Sequence, residues 1–300
     1  GRGAAAIAMF SRGEANDSEP VRGYVYVPHG EVGPLSRMAP GANVRIDKIP
    51  PWIVVFHELE AVSPNPWAGR IWWVQVSDPV TARELNVRGR GSLPWYDMRR
   101  YGFIYESHRG IDERNGPLRI GYTPSKAVEV LREVPLSALF GAQGDAVLDI
   151  IHVAGGLALE SAAALAAARH SEAGAIQAKG WHRWLDRERI TAPESSENVL
   201  PVAQSLGSGG KKSPVGCGLN VIGNQLFDRA QKSYGEEAVG VDDEREYCLR
   251  QPWTEAGSAL REAAFAFGAP DLFDACERAV LAQAWLKVMG APPGQQTSLH

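Results

Sequence analysis

The chain has little cysteine, and this scarcity limits what can hold it together. The only cysteines among its 300 residues are Cys217, Cys248 and Cys276, all in the last third. An odd number at such wide spacing is typical of neither a disulfide framework nor a zinc site. Three free thiols indicate a reducing compartment, so we expect an intracellular or virion protein. One disulfide with one free thiol is the alternative that the spacing leaves open.

Strong charge and long apolar runs are also missing. The chain has 31 lysines and arginines against 35 aspartates and glutamates, which gives a net charge of −4. Nucleic-acid-binding surfaces are usually strongly basic, so we expect no specific nucleic-acid binding. The longest apolar stretch, 146–168, is interrupted by charged and polar residues. A membrane span needs about 18 or more uninterrupted apolar residues, so we expect no contact with the membrane interior.

The spacing of apolar residues changes near the middle of the chain and predicts an α+β fold. The first half has short β-branched and aromatic runs between turn residues, which is typical of strands. The second half has apolar residues at helical spacing. We therefore expect a mixed, β-rich N-terminal half and a helical C-terminal half. Strands are predicted at 23–27, 52–56, 71–76, 103–105 and 128–134.

This change of pattern also divides the chain into an arm and two domains. Residues 1–20 have few apolar anchors and are expected to form an N-terminal arm. Residues 21–143 are expected to form the α+β domain, and residues 144–300 the helical domain with an extended tail. The Pro-, Ser- and Gly-rich stretch 191–216 predicts a loop. Helices are predicted over 145–169, near 181–185, and over 219–234, 254–267 and 271–289. Gly155-Gly156 predicts a kink in the first of them, or a close contact with another helix.

Several short motifs of the first half occur in the order found in a known fold. Val21-Arg22-Gly23 precedes Pro28-His29-Gly30-Glu31, and the strand 54–61 contains His57. A further strand with a Pro stop spans 70–85, and Ala127-Val128-Glu129 precedes the strand and turn at 130–139. Together these motifs resemble the ADP-ribosyltransferase fold of the heat-labile enterotoxin A-chain group. The resemblance covers roughly residues 20–142.

The resemblance implies an NAD site and assigns roles to three residues. Arg22 would hold the dinucleotide phosphates through its planar guanidinium fork. Glu129 would be the catalytic carboxylate, which stabilises positive charge as nicotinamide leaves. His57 stands beside the position of the family's Ser-Thr-Ser strand and is the second cofactor-binding candidate. Ala127 occupies the place of the first Glu in the family's Glu-x-Glu pair.

Two functions of different classes follow from these observations. The Ala-rich helix and the extended ends favour a non-catalytic structural or interaction protein, such as a virion surface or assembly component. Such a protein would be built on an ADP-ribosyltransferase-like domain, take no cofactor, and have other protein subunits as its partners. The alternative is an active NAD-dependent ADP-ribosyltransferase or NAD glycohydrolase, with NAD as its cofactor.

Overall fold

Strands fill the first half of the chain and helices most of the second, which confirms the predicted α+β class. The computed structural model describes residues 20–47, 52–62, 64–80, 122–187 and 214–294. The predicted N-terminal arm, the strand predicted at 103–105, most of the loop predicted at 191–216 and the end of the tail lie outside the described residues.

Within the described residues, five strands form one antiparallel sheet. Their bounds are β1 Arg22–Pro28, β2 Asn43–Arg45, β3 Ile53–Phe56, β4 Gly69–Pro79 and β5 Tyr122–Val134. The strand order is β2-β5-β3-β1-β4, and β4 also pairs with β5. This last pairing closes β1, β3, β4 and β5 into a small barrel, while β2 pairs with β5 alone. The sequence did not predict β2, because three residues with one apolar side chain show no alternation.

The interior of the barrel is filled by apolar side chains. Every strand contributes alternate residues to it, as strand geometry requires. The chain between β1 and β2 adds one more side chain, which covers the barrel. This inner core consists of Val25, Val27, Met38, Val44, Ile53, Val55, Trp72, Val74, Val128 and Val130. The barrel is therefore a packed unit, like other small barrels whose interiors are filled by side chains.

Six helices follow in the described part of the chain. Their bounds are α1 Gly144–Gly156, α2 Leu159–Ala168, α3 Ala173–Arg187, α4 Pro214–Tyr234, α5 Trp253–Gly268 and α6 Ala275–Met289. A two-stranded hairpin between α4 and α5, formed by β6 Val239–Val241 and β7 Tyr247–Leu249, was not predicted. The helix α4 begins at Pro214, inside the stretch that the sequence predicted as a loop.

The barrel and the helices share a second core. The outward side chains of β1, β3 and β4 enter it, among them Tyr26, Phe56 and Ile71. The hydroxyl of Tyr26 donates a hydrogen bond to the carbonyl of Pro66 at 2.7 Å. Burial is the main reason that the pKa of Tyr26 lies well above its usual value, with a smaller contribution from Cys217 of α4. Helices therefore cover part of the outer surface of the barrel.

The single helix predicted over 145–169 is interrupted at Leu157-Ala158. Gly155 and Gly156 each lower helix propensity by about 1 kcal/mol relative to alanine. The backbone groups freed by the break find partners on α4. Arg229 Nε donates to the Leu157 carbonyl at 2.9 Å, and the Leu159 N–H donates to the Tyr234 hydroxyl at 3.1 Å. The predicted kink is thus a complete break, stabilised by tertiary hydrogen bonds.

The start of α6 differs from the predicted helix over 271–289. Asp271 lies in a 3-10 turn and pairs with Arg187, whereas Asp274 is the N-cap. Asp274 and Glu277 form a reciprocal capping box: the Asp274 carboxylate accepts from the Glu277 N–H at 2.8 Å, and Glu277 accepts from the Asp274 N–H at 3.0 Å. The Glu277 carboxylate also receives two hydrogen bonds from Arg183 of α3.

This arrangement predicts a loss of stability in acid. The Arg183 guanidinium, followed by the Asp274 backbone N–H, lowers the pKa of Glu277 to about 2. An unfolded glutamate has a pKa of about 4.3, so ionised Glu277 stabilises the fold above that pH. The contribution is lost as the pH falls from there towards about 2. We expect Glu277→Gln and Arg183→Met to flatten this part of the pH profile in urea unfolding; profiles parallel to wild type would contradict the assignment.

Candidate functional site

The outer surface of the barrel has a polar row across four strands. Strand register pairs Arg22 with Gln75, Gln75 with Glu129, and Glu129 with Asn43. Directly paired residues of antiparallel strands point to the same face of the sheet. We call these four residues the polar row. It contains one cation, two amides and one carboxylate, all on the outside of the barrel.

Two of the residues assigned to NAD, Arg22 and Glu129, belong to the polar row, but they do not contact each other through paired strands. Gln75 of β4 lies between them, and Arg22 Nε donates to its side-chain oxygen at 3.1 Å. Two strand spacings separate the backbones of Arg22 and Glu129, which is about 9–10 Å. The sheet therefore brings both residues to one face and keeps them apart along it.

A pair of register shifts creates a charged cluster beside the polar row. The pairing of β4 with β5 shifts on both sides of Asp78. Bulges of this kind turn side chains towards a new direction. Here Asp78 is bound by Arg45 of β2 at 2.8 Å and by Lys126 of β5 at 3.4 Å. The hydrogen bond from Arg45 is the main reason that the pKa of Asp78 is lowered. The cluster has one more positive than negative charge.

His57, the other cofactor-binding candidate, lies at the end of the barrel and outside the polar row. It directly follows Phe56, which pairs with Tyr24 at the seam between β1 and β3. Its Nε2 is 2.6 Å from the Thr123 hydroxyl oxygen on β5. Partial desolvation of the ring lowers the pKa of His57, and nearby Glu58 acts in the opposite direction. The imidazole is thus engaged with a hydroxyl of its own barrel, at a different place from Arg22 and Glu129.

The shape of the surface limits what the described residues can bind. Small-molecule sites are usually concave and bury most of the ligand. The polar row lies on the outside of a closed barrel, which is convex, and the inside is filled by the inner core. Such a surface suits a second macromolecule, whose own backbone and side chains supply the complementary shape.

Sequence reasoning missed Gln75 and the Asp78 cluster for different reasons. Gln75 belongs to the run Trp73-Val74-Gln75-Val76, where alternation already places it on the same face as Trp73. Strand alternation applied to β4 would have found it. The Asp78 cluster depends on the register shifts between β4 and β5, and no local pattern in the sequence indicates them.

The comparisons with known proteins assign no family to the chain. No protein-family model, curated protein or solved structure matches it. Among the described residues, no group of histidine, cysteine, aspartate and glutamate side chains is arranged to hold a metal ion. The helices in the same part of the chain are also too short or too polar to cross a membrane. The function must therefore be argued from the surface itself.

Proposed function

We propose that this chain is a non-catalytic interaction protein that binds another protein subunit of a larger assembly, such as a virion, through the polar row. The observation that carries the proposal is the continuous row from Arg22 through Gln75 and Glu129 to Asn43 on an exposed barrel surface. Mixed charges and amides on a convex face offer donors and acceptors to a protein partner, and the alternating signs select among partners.

The rigidity of this surface supports the proposal. The barrel is closed, its interior is packed, and part of its outer surface is joined to the helices by a common core. A rigid surface loses little conformational entropy on binding, so more of the interaction free energy appears as affinity. Arg45, Asp78 and Lys126 further connect β2, β4 and β5 next to the row.

Site-specific photo-cross-linking tests the proposal. We expect a photoreactive residue in place of Asn43, which is exposed at one end of the row, to form an adduct with another protein subunit in the native assembly. The same residue in place of Glu160, exposed on α2, is the matched control and is expected to form none. A native mass equal to that of a single 32.5 kDa chain would contradict the proposal.

The alternative function is NAD cleavage of the ADP-ribosyltransferase type. The common face of Arg22 and Glu129 is the specific observation in its favour. If the chain is an interaction protein, we expect calorimetric titration of the purified chain with NAD to give no heat of binding and no nicotinamide to be released. Binding of NAD together with its cleavage, both lost in Arg22→Ala and Glu129→Ala, would establish the enzyme instead.

The stability of the Glu129→Ala variant forms a separate expectation. Glu129 is half-buried on the outer face, whereas its chain neighbours Val128 and Val130 belong to the inner core. We expect the free energy of unfolding of the Glu129→Ala variant to stay within about 0.5 kcal/mol of wild type, as for most surface substitutions. Urea unfolding measures this. A loss above about 2 kcal/mol would show that Glu129 supports the fold and would remove it from the proposed binding surface.

A further inference from the structure

The hairpin of β6 and β7 has an apolar stripe that leaves the core and continues onto the surface. Val239 pairs with Leu249, and Val241 pairs with Tyr247, so these four side chains share one face. Val239 and Leu249 pack into the core that joins barrel and helices. The outer pair is open: Val241 is 56% exposed and Tyr247 is 70% exposed. Half of a continuous apolar stripe is therefore left uncovered.

The opposite face of the hairpin is occupied by the protein itself. Gly240 pairs with Cys248 there, and the Arg250 guanidinium lies directly against Gly240, where an added Cβ would come within 2.8 Å of it. The two faces differ in this respect. Of the two faces, only the apolar stripe presents large apolar side chains to solvent, so a partner with an apolar anchor would bind on that side.

The hydrogen-bond pattern adds backbone groups to this surface. Asp242 N–H donates to the Glu246 carbonyl, and Arg250 N–H donates to the Ala238 carbonyl. In an antiparallel pair the hydrogen-bonded positions alternate, so Val241 and Tyr247 form a pair whose N–H and C=O groups point away from each other. The exposed half of the hairpin therefore offers two short free edges. A strand of another protein can add to such an edge.

The turn is rigid and strongly acidic. The Asp242 carboxylate accepts hydrogen bonds from the N–H groups of Glu244 at 2.9 Å and Glu246 at 2.8 Å, which fixes the loop. Between residues 236 and 246 there are six acidic residues and one basic residue, all exposed. This segment therefore has a net charge of −5, although the whole chain has only −4. A concentrated negative charge therefore surrounds the apolar stripe.

We propose that the exposed half of this hairpin docks an extended, basic segment of a partner protein. An apolar side chain of the segment covers Val241 and Tyr247, its lysines or arginines face the acidic turn, and its backbone pairs with a free edge. The charge of this segment argues against other occupants. Its net charge of −5 repels nucleic acid and anionic lipid, and the hairpin of a second copy of the chain would have the same charge. The inference rests on the proposed function only in taking the partner to be a protein.

Binding of a synthetic probe tests this proposal directly. The probe is a fluorescent peptide of alternating lysine and valine, and the control peptide has glutamate in place of lysine. Fluorescence anisotropy with the full chain is expected to detect the lysine peptide alone. Raising the salt from about 0.1 M to about 1 M shortens the Debye length from about 10 Å to about 3 Å and should weaken binding. Equal binding of both peptides, or none, would overturn the proposal.

Variants locate the binding to the hairpin. Tyr247→Ala is expected to raise the dissociation constant of the lysine peptide at least about tenfold, as the loss of an aromatic anchor usually does. Tyr247→Lys also places a positive charge in the stripe, which repels the peptide's lysines, and is expected to weaken binding of the peptide further. Val32→Ala, which alters an exposed apolar residue elsewhere, should bind like wild type. Binding that survives both Tyr247 substitutions in folded protein would overturn the proposal.

Two further outcomes separate this inference from other possibilities. If the purified chain self-associates in sedimentation and Tyr247→Ala abolishes this, a second copy is the occupant and the basic partner is wrong. If a labelled RNA oligonucleotide, tested without the peptide, binds the chain and Tyr247→Ala abolishes this, the charge argument fails. Neither result affects the Asn43 cross-link, so failure at the hairpin is distinguishable from failure of the proposed function at the barrel.

Discussion

Arg169→Ala is expected to lower the free energy of unfolding by about 3–5 kcal/mol, because it leaves a buried carboxylate without its counter-ion. Glu262 on α5 is only 1% exposed. Arg169, which ends α2, donates to Glu262 at 2.7 Å and to Glu255 at 2.6 Å. Burial raises the pKa of Glu262 even though the guanidinium acts to lower it. Urea unfolding measures the effect.

Two comparisons distinguish a buried ion pair from a generic loss of arginine. Arg187→Ala removes an arginine whose partner, Asp271, is exposed, and we expect a loss below about 1 kcal/mol. The double variant Arg169→Met/Glu262→Met replaces both buried charges by apolar groups and should recover most of the stability. If Arg169→Ala and Arg187→Ala lower the free energy of unfolding by the same amount, the burial of Glu262 does not make its ion pair more important for stability than an exposed one.

Gly23→Ala is expected to destabilise the barrel by about 1–3 kcal/mol or more through overpacking. An added Cβ would lie 2.2 Å from the Phe56 carbonyl oxygen and 2.8 Å from a Val55 methyl group. At this point β1 meets β3, and the pairing of Tyr24 with Phe56 joins them. The nearest atom belongs to the backbone, so no side-chain rotation relieves the clash. Thermal unfolding followed by circular dichroism measures the loss.

Gly156→Ala is the matched control for this substitution. Gly156 lies at the end of α1 and an added Cβ has no atom within 4 Å. Alanine favours helix over glycine by about 1 kcal/mol, so we expect this variant to be as stable as wild type or slightly more stable. A Gly23→Ala protein as stable as Gly156→Ala would show that β1 and β3 do not approach so closely.

Local patterns predicted the longer elements well and the shorter ones poorly. The alternating aromatic and β-branched residues of β1 and β4 and the helical spacing of α5 and α6 all gave elements of the right type. The hairpin of β6 and β7 was missed because its strands have three residues each, too few to show alternation. The capping box at Asp274 was readable in principle, since a glutamate follows three positions later.

The candidate site depended on pairing between distant strands. Arg22 and Glu129 were singled out by a resemblance, and the functional roles implied by it remain predictions. Sequence separation alone gives no indication that Gln75 lies between them, or that Asp78 meets Arg45 and Lys126. Those contacts follow from the register of β4 on β5, and register is set by packing across the whole barrel.

The sequence by itself determined the class of fold, because the period of apolar residues is a local property: about 2 in the strands and about 3.6 in the helices. It also determined the small net charge and the scarcity of cysteine. Only the tertiary structure decided that the sheet closes, which face of the barrel the helices cover, and that the hairpin stripe stays open between acidic residues. These features arise from contacts between segments far apart in the chain, and local propensity does not indicate which distant segments come into contact.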